Sequence, residues 1–506
     1  MSSPITRRDF LKLVSLLPLL SLRIPKMIAE DPSSVQGSDQ PNILIFVFDA
    51  LSARHMPIYG YPRNTTPNLA RFAQRATVYH SHHSGGNFTT SGTASLLTGV
   101  YPWTHRAIHL HGSVLDSFGN RNIFSTYPED GFTYAYTHNL LAESLLQQFR
   151  SNIDLFKRTR ELAIDDPEYS DRLFPSDYNV SLWSEQLILR GAETKPSSLF
   201  GGLLYRFLRL SQKRKMASLY GRQFPRGIPN LDDVYFILED AINWLISELP
   251  AVRKPSLGYF HILPPHEPFY PRKEFIGKFQ DDFKPIAKPP SPFSDGYADE
   301  FINQKHMEYD ENLAYADAEF GRLFDAMVQN GILGNAIVIV TADHGKLFER
   351  GIVGHVTPTL YEPLLHIPLL ISVPGQTQRK DIHSHTSCVD ILPTLASLTG
   401  QPAPEWAEGT VLPGFGDEPV QNGTSVFAVE AKSSPKQGAL NKATVAMIKE
   451  NYKLIYYRGY PKTPAPELYD LSNDPEELQD LAGTKPSIAG DLQQEIEGKL
   501  RLTHSF

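Results

Sequence analysis

Two acidic positions follow apolar runs that are typical of buried strands. Asp49 comes directly after the run Asn42–Phe48, and Asp343 with His344 follows the run Ile337–Val340. Such short, β-branched runs predict strands buried on both faces, and ligands of open α/β sheets gather at the carboxyl ends of strands. Two carboxylates and an imidazole at neighbouring strand ends can hold a divalent cation. Taken alone, each acid is equally well interpreted as a helix cap or a turn residue.

A second chemical pattern is the hydroxyl-rich segment Asn87–Gly99, which reads N-F-T-T-S-G-T-A-S-L-L-T-G. Its small hydroxyl residues precede a helical run, and the exposed amides at a helix N-terminus favour negative charge. A hydroxyl placed there loses its proton at a lower cost, and a bound metal lowers its pKa further. Without other motifs, the plainer interpretation of the same residues is a capped helix start.

The elements that must position these residues alternate between strands and helices. Further strand-like runs occur at Phe132–Tyr136, Leu257–Ile262 and Leu369–Ile371, and helices are predicted at Asp232–Glu248 and Lys305–Asn330. Strands that alternate with helices favour parallel pairing. The fold class predicted is therefore α/β, with a layered sheet flanked by helices.

Smaller signals predict where individual elements and domains begin. Thr66 is predicted as a helix N-cap with Pro67 at the first helical position. The segment Val445–Tyr457 predicts a hairpin that turns at Glu450 and Asn451 and opens a small C-terminal α+β subdomain. The predicted organisation is a targeting signal at 1–30, a linker at 31–40, a catalytic α/β domain at 41–400 with an insertion at about 140–230, and the C-terminal subdomain at 401–506.

A series of short segments forms one ordered pattern along the chain. In sequence order the segments are Asn42–Tyr61, Thr66–Phe72, Ala94–Pro102, Pro264–Phe269, Tyr315–Leu323, Thr341–Gly345, Leu360–Pro363, Val389–Thr394 and Glu467–Asp470. Together they resemble the sulfatase family, within the alkaline-phosphatase superfamily, over about 430 residues. The resemblance implies an alkaline-phosphatase-like fold and a sulfatase-family ester hydrolase or phosphotransferase.

The resemblance implies one divalent metal ion with four candidate ligands. Asp49 resembles the first metal-binding aspartate of the family, Asp343 and His344 resemble the second strand-end pair, and Thr89 falls on the nucleophile position. The second acid of the usual aspartate pair is replaced by Ala50. Mixed oxygen and nitrogen ligands favour zinc or manganese and leave calcium or magnesium as alternatives.

The catalytic residues implied by the resemblance are Thr89, His266 and His355. His266 resembles the histidine that contacts the transferred group, and His355 resembles a group near the leaving oxygen. Sulfatases proper convert a Cys or Ser at the nucleophile position to formylglycine, but this chain has Thr89 there. Ser91 and Thr93 replace the Pro and Arg of the modification motif. A threonine nucleophile resembles the phosphoethanolamine- and glycerophosphate-transferring relatives.

The function predicted is metal-dependent cleavage of phosphate, or sulfate, esters through a covalent threonine intermediate. One alternative is a sulfuric ester hydrolase that works without formylglycine. An assay that compares sulfate esters with phosphate esters would separate the two functions. An alternative of another class is an inactive surface protein that binds anionic glycans or lipids. Metal content would separate that alternative from an enzyme.

The N-terminus predicts export. Arg7 and Arg8, followed by Phe10 and Lys12, resemble a bacterial twin-arginine signal, and the apolar stretch Leu13–Leu22 is too short to span a bilayer. The predicted location is periplasmic, extracellular or the outer face of the membrane. Retention of the signal as a membrane anchor stays open.

Composition limits the classes of molecule that this protein is expected to bind. The formal net charge of -8 argues against nucleic acid, and the single cysteine excludes an internal disulfide. The expected partner is an anionic ester, lipid- or glycan-linked in one interpretation. The segment Gly201–Gly227 holds basic residues among leucines and no acid. This pattern fits either a lid that meets an anionic substrate or a membrane surface, or a solvated helical face. The sequence leaves the oligomeric state unknown.

Overall fold

The structure is a computed structural model that describes residues 40–164, 199–231, 234–416 and 425–502. The predicted signal at 1–30, nearly all of the predicted linker and residues 165–198 of the predicted insertion lie outside these residues. Among the helices in the described ranges, none combines the length and hydropathy that crossing a membrane requires.

Strands and helices alternate in the described residues between 42 and 398. The strands, in chain order, are β1 (Asn42–Phe48), β2 (Thr77–His83), β3 (Phe132–Thr137), β4 (Leu155–Lys157), β5 (Asn230–Leu231), β6 (Val234–Tyr235), β7 (Ser256–Ile262), β8 (Ala336–Ala342), β9 (Leu347–Glu349), β10 (Ile352–Gly354), β11 (Leu369–Ser372), β12 (Lys380–Ser387), β13 (Val426–Glu430), β14 (Ala443–Lys449), β15 (Tyr452–Arg458) and β16 (Glu467–Asp470). The helices are α1 (Pro67–Ala73), α2 (Thr89–Thr98), α3 (Pro102–His105), α4 (Leu140–Gln148), α5 (Leu199–Tyr220), α6 (Leu238–Glu248), α7 (Asp299–Gln329), α8 (Glu362–Leu365), α9 (Ile391–Leu398) and α10 (Pro486–Leu502).

Eight strands form the main sheet in the spatial order β12-β2-β11-β8-β1-β7-β3-β4. β1 lies parallel to both β7 and β8, and β3 lies parallel to β7. The expectation of parallel pairing is wrong for β11, which runs antiparallel to β8 and β2. The chain between β8 and β11 stays at the carboxyl end of β8, where it forms β9, β10 and α8. It therefore re-enters the sheet from that end, in the opposite direction.

Helices cover both faces of this sheet, as predicted for the layered α/β class. Successive strand residues point to opposite faces. The rings of Phe46 and Phe48 in β1 contact Phe320 of α7 edge-on, at 6.4 and 5.9 Å between centroids. Ile43 lies on the opposite face of β1, where it lines a small space together with Leu395 of α9. Every residue of β1 is buried, which explains the unbroken apolar run.

Two predicted helices differ from the structure at their starts. The helix predicted at Asp232–Glu248 begins only at Leu238, because Val234 and Tyr235 form β6 and pair with β5. The helix predicted at Lys305–Asn330 starts earlier and spans Asp299–Gln329. Short two-residue strands carry too little periodicity to be separated from an adjoining helix by sequence pattern.

The start of α1 is capped by a distant residue. Thr66 occupies the N-cap position and Pro67 the first helical position, but the Thr66 side chain makes no capping hydrogen bond. The carboxylate of Asp317, on α7, instead accepts hydrogen bonds from the backbone N–H groups of Asn68 and Leu69, at 2.9 and 2.8 Å. The predicted positions of Thr66 and Pro67 are therefore confirmed, but a long-range carboxylate, and not the Thr66 hydroxyl, satisfies the free amides of the helix.

The C-terminal part forms a separate four-stranded antiparallel sheet in the order β13-β14-β15-β16. The predicted hairpin is confirmed: β14 and β15 pair antiparallel across Glu450 and Asn451. Glu450 adopts a left-handed φ of 54° at this turn. The final helix α10 packs against β14 and β15.

Candidate active site

Four central strands of the main sheet end at one edge, and each delivers polar side chains there. Asp49 follows β1, Asn139 follows β3, His261 is the second-last residue of β7, and Asp343 follows β8. The strands are in register, since Val47 of β1 is opposite both His261 of β7 and Thr341 of β8. Parallel register therefore brings side chains that are far apart in sequence into one buried cluster.

Asp49, His261 and Asp343 form the centre of this cluster. All three are fully buried, and their ligand atoms lie within 4.8 Å of one another. Asp49 Oδ1, Asp343 Oδ2 and His261 Nε2 have no hydrogen-bond partner among the described residues. Buried carboxylate oxygens without donors are costly unless a cation balances them. The residues present therefore fit the divalent metal that the family resemblance implies.

The two carboxylates have opposite pKa shifts. Burial disfavours the ionised form of Asp49, but interactions with the imidazoles of His266, His261 and His344 outweigh burial and lower the pKa of Asp49 to about 2. Burial and the nearby charge of Asp49 raise the pKa of Asp343. Two acids that share a site cannot both ionise freely without a compensating positive charge.

Thr89 is the first residue of α2, so its hydroxyl lies at the helix N-terminus, as the sequence predicted. Its Oγ1 atom lies 3.4 Å from His344 Nε2. The helix reaches this position because Gly92, one turn later, lies against the backbone carbonyl of Asp343, where a Cβ atom would collide. Close approach of a helix to a strand end is a role for which glycine is suited.

Asn139 connects the hydroxyl to the acid. Its Nδ2 donates hydrogen bonds to Asp49 Oδ2 at 2.5 Å and to Thr89 Oγ1 at 3.3 Å. Its Oδ1 accepts hydrogen bonds from the backbone N–H groups of Leu141 and Ala142, which caps α4. The helix cap thus fixes the orientation of the amide, and the donor end must face Thr89.

His344 presents one nitrogen to the cluster. Its Nδ1 lies 2.8 Å from the carbonyl oxygen of Gly345, so Nδ1 carries the proton and donates to it. The Nε2 lone pair then faces Asp49 Oδ1 and Asp343 Oδ2, at 3.6 and 3.5 Å. A backbone carbonyl on the second ring nitrogen is the usual support of a metal-binding histidine.

A second cluster borders the first and contains His266, Glu267, Lys346 and His355. The ring of His355 stacks on that of His344 at 4.5 Å and lies 4.9 Å from that of His266. Lys346 Nζ donates to Glu267 and to His355 Nδ1. Because an ammonium group can only donate, His355 Nδ1 accepts and Nε2 carries the proton. Burial and the charge of Lys346 lower the pKa of His355, which is therefore neutral near pH 7.

A third group of potential ligands, His55, His306 and Asp310, has a structural explanation. Asp310 accepts hydrogen bonds from His55 Nδ1 at 2.8 Å, from Arg63 at 2.9 Å and from the Tyr61 hydroxyl. A guanidinium group in contact with the carboxylate already balances its charge. The second cluster likewise contains the Lys346 ammonium, so the first cluster is the one suited to a cation.

All six site residues predicted from the sequence lie in these two adjoining clusters. Asp49, Thr89, Asp343 and His344 belong to the first, and His266 and His355 to the second. Their chemical roles stay predictions. Sequence reasoning missed four further polar residues that the structure adds to the clusters: Asn139, His261, Glu267 and Lys346.

The sequence contains part of the information that could have identified three of these residues. His261 and Asn139 both stand at the ends of strand-like runs, the position that drew attention to Asp49. Lys346 comes directly after the T-A-D-H-G motif. None of the three lies in a motif with a known spacing. Only the side-by-side order of β3, β7, β1 and β8 shows that these strand ends meet.

The layered α/β sheet, with acids, imidazoles and a helix-terminal hydroxyl at its strand ends, has the alkaline-phosphatase-like fold. The sulfatase family profile matches residues 41–401, and the profile of N-sulphoglucosamine sulphohydrolase, C-terminal, matches residues 357–504. The chain therefore belongs to the sulfatase family.

Individual relatives are distant. The chain is 26% identical to arylsulfatase K of Bos taurus over 57% of this chain and 59% of that protein. It is 22% identical to choline-sulfatase of Rhizobium meliloti (strain 1021) over 88% of this chain and 82% of that protein. The phosphonate monoester hydrolase of Agrobacterium radiobacter shares the fold, with a TM-score of 0.64 and 17% identity over 92% of this chain and 96% of that chain.

Proposed function

We propose that this protein is a metal-dependent hydrolase or transferase that cleaves phosphate or sulfate esters through a covalent intermediate on Thr89. The observation that carries the proposal is the Thr89 hydroxyl at the start of α2, beside two fully buried acids with unpartnered oxygens. That combination supports a nucleophile next to a cation site. The names of the relatives support an ester of a sulfur or phosphorus acid as the substrate class.

Asp49, Asp343 and His344 would hold the metal together with Thr89. When bound, a divalent ion would offset charge on the transferred oxygens and lower the pKa of the Thr89 hydroxyl. The metal proposed is zinc or manganese, with calcium and magnesium as alternatives.

The reaction follows in two displacements. As Thr89 Oγ1 attacks phosphorus, its proton passes to water, a bond from Oγ1 to phosphorus forms, and the bond to the leaving oxygen breaks. The amide of Asn139, 3.3 Å from Oγ1, orients the attacking atom. Water or an acceptor alcohol then attacks the phosphorus of the threonine ester, and the bond from phosphorus to Oγ1 breaks. The attacking group loses a proton and Oγ1 gains one, which restores the hydroxyl. The choice of acceptor decides between hydrolase and transferase.

The second cluster serves the leaving group. His355 presents a protonated Nε2 because Lys346 holds Nδ1 as an acceptor, at 2.9 Å. His355 therefore donates a hydrogen bond to the leaving oxygen as a neutral imidazole. His266 contacts the transferred group, since its Nδ1 donates to the carbonyl of Glu267 at 2.7 Å and leaves Nε2 free. Lys346 supplies a fixed positive charge close to both rings.

Phosphate esters should be turned over faster than sulfate esters. A formylglycine hydrate expels sulfate by breaking down as a hemiacetal, a route that a threonine sulfate lacks. A threonine phosphate can be opened by activated water or by an acceptor alcohol. The measurement is turnover of matched aryl phosphate, aryl phosphodiester and aryl sulfate substrates with the same metal. A clear preference for sulfate would instead support the formylglycine-independent sulfatase.

The nucleophile is tested by Thr89→Ala. Turnover should fall by at least about 1,000-fold, as expected for loss of a covalent nucleophile, while the unfolding transition stays in place. Thr90→Ala is the matched control, because the Thr90 hydroxyl donates to the Leu110 carbonyl and faces away from the acids. Near-normal turnover by Thr89→Ala would move the nucleophile to Thr90 or Ser91, or remove covalent catalysis.

The substrate proposed is lipid- or glycan-linked, and the protein is proposed to be exported and to approach a membrane surface. Support for membrane contact comes from α5, where Phe207 and Leu210 are 70% and 56% exposed. Lys213 and Arg214, one turn further, are exposed as well. Sedimentation with anionic lipid vesicles, against neutral vesicles, measures this contact. Equal binding to both kinds of vesicle, or binding to neither, would contradict it.

A further inference from the structure

The first cluster, with Asp49 and Asp343 at its centre, contains an imidazole to which the family resemblance assigns no role. His261 lies near the end of β7 and is fully buried. Its Nε2 atom is 3.3 Å from Asp49 Oδ2 and 3.7 Å from Asp343 Oδ2, so it faces both candidate acidic ligands. Its Nε2 also lacks a hydrogen-bond partner among the described residues, as do Asp49 Oδ1 and Asp343 Oδ2.

The second nitrogen of His261 is held in place. Nδ1 lies 3.2 Å from the Tyr259 hydroxyl, which comes from the same strand and points the same way. When Nδ1 donates to this oxygen, Nε2 presents its lone pair to Asp49 and Asp343. A hydrogen-bonded second nitrogen is the common support of a metal-ligating histidine, and His344 has the same arrangement with the Gly345 carbonyl.

The neighbouring backbone explains why a further ligand is needed. Ala50 stands at the position of the family's usual second acid, and its methyl group cannot bind a cation. Ala50 adopts a left-handed φ of 59°, and its N–H donates to Asp343 Oδ1 at 3.2 Å. Asn139 does not replace the lost acid, because its donor end faces Asp49. His261 is the remaining group in the cluster with a free lone pair.

We infer that His261 is a metal ligand, so that the protein holds its ion with two carboxylates, two imidazoles and the Thr89 hydroxyl. This inference rests on the metal dependence in the proposed function and specifies the donor set. Oxygen-only sites suit calcium and magnesium, whereas imidazoles favour zinc and other transition metals. The site therefore selects zinc-type ions over calcium.

The test is metal binding by the intact purified protein after chelation, with zinc and calcium as separate probes. His261→Gln should weaken zinc binding by about 100-fold or more, since even indirect supports of a ligand contribute 10- to 100-fold. Calcium binding should change much less, so the ratio of zinc to calcium affinity falls. In the cobalt-substituted protein, the visible absorption should change as a nitrogen ligand is lost.

Three further variants serve as comparisons for the metal binding of His261→Gln. Asp343→Asn removes a carboxylate of the same cluster and should weaken the binding of both ions. His82→Gln is the matched control, a buried histidine on β2 whose Nδ1 bonds to Thr386, and its zinc affinity should match that of the unchanged protein. Tyr259→Phe leaves His261 in place but removes the hydroxyl at Nδ1, and should weaken zinc binding by about 10-fold.

The inference fails if His261→Gln binds zinc with unchanged affinity and unchanged cobalt absorption. Should His261→Gln not fold, unchanged zinc affinity in Tyr259→Phe would contradict it in the same way. These readouts do not depend on turnover. A protein that binds zinc through His261 but cleaves no ester would contradict the proposed function and leave the inference standing. Metal-dependent ester cleavage by a protein whose zinc affinity is unchanged in His261→Gln would contradict the inference and leave the proposed function standing.

Discussion

At the scale of single residues, each polar side chain in this site has two polar atoms, and the hydrogen bond made by one of them decides whether the other donates or accepts. Asn139 uses Oδ1 to cap α4, which forces Nδ2 toward Asp49 and Thr89. His344 uses Nδ1 for a backbone carbonyl and is left with a free Nε2. Donor and acceptor roles are thus assigned by neighbours outside the reacting centre.

Asn139→Ser separates the two functions of Asn139. Serine is an equally good N-cap, so the free energy of unfolding should change by less than about 1 kcal/mol. The amide donor to Thr89 is lost, and kcat should fall by about 100-fold, as for removal of one preorganised donor. Steady-state kinetics and urea unfolding measure the two effects.

Asn122→Ser is the control for this change. Asn122 is also fully buried, but its amide donates to the Gly119 carbonyl and to Asn152, away from the acids. This variant should lose stability and keep its kcat. Equal loss of kcat in both variants would show that Asn139 acts only through general stability.

At the scale of elements, the distance between α2 and the end of β8 decides whether the site forms. Gly92 of α2 touches the backbone of Asp343, and the Ser84 hydroxyl donates to the same carbonyl. Packing there leaves no space for a methyl group. The approach of Thr89 to Asp343 therefore depends on Gly92, a residue whose side chain carries no reactive group.

Gly92→Ala should therefore disturb both fold and function. The added methyl group should lower the free energy of unfolding by about 1–3 kcal/mol, as in overpacked cores, and shift Thr89 away from Asp343. Gly334→Ala is the matched control, because its Cβ would meet no atom within 4 Å. Thermal unfolding and turnover of both variants are the measurements, and equal behaviour would contradict the packing argument.

Helix α4 contains a titrating group that makes stability depend on pH. Burial raises the pKa of Glu143 from 4.5 to about 7, although Thr159 N–H donates to its Oε2 at 3.2 Å. The folded state therefore holds a proton that the unfolded state releases. Stability contributed by this proton is fully present below about pH 4.5 and is lost as the pH rises toward 7.

Glu143→Gln should remove this pH dependence. Between pH 5 and pH 8 the unchanged protein should lose about 1–3 kcal/mol more unfolding free energy than the variant does. Asp317 and Asp390, whose pKa values burial raises to about 6, act in the same direction in both proteins and cancel in the difference. Urea unfolding at several pH values provides the comparison. Parallel curves would show that Glu143 is ionised in the folded protein.

At the scale of the whole molecule, a buried ion triad joins the C-terminal sheet to the chain around the site. Lys453 of β15 lies 2.8 Å from Glu362 of α8 and 2.8 Å from Glu477. The Lys453 side chain is completely buried. The charge of Lys453 outweighs burial and lowers the pKa of Glu362. Removal of one member leaves buried charge without compensation.

Lys453→Met should lower the free energy of unfolding by about 3–5 kcal/mol. Lys449→Met, on the neighbouring strand, breaks the ion pair with Glu495 at 2.7 Å, whose side chains are 36% and 31% exposed. That exposed pair should contribute less than about 1 kcal/mol. Chemical unfolding of the two variants gives the comparison, and similar losses would show that burial does not control the strength of these pairs.

The sequence by itself determined the α/β class, the position of Asp49 and Asp343 at strand ends, and Thr89 at a helix start. Those features are local: an apolar run marks a buried strand, and its last residue marks the strand end. The family resemblance added His266, His355 and the ester chemistry. Its departures at Thr89 and Ala50 are also readable from sequence alone.

Only the tertiary structure decided which strand ends meet. His261 and Asn139 join Asp49 because β7 lies beside β1 and β3 lies beside β7, although both residues are more than 80 residues away from Asp49 along the chain. Long-range packing also explains why β11 runs antiparallel to β8 and why Asp317 caps α1. Periodicity reports the burial of each element, but the pairing of elements is set by contacts between residues distant in sequence.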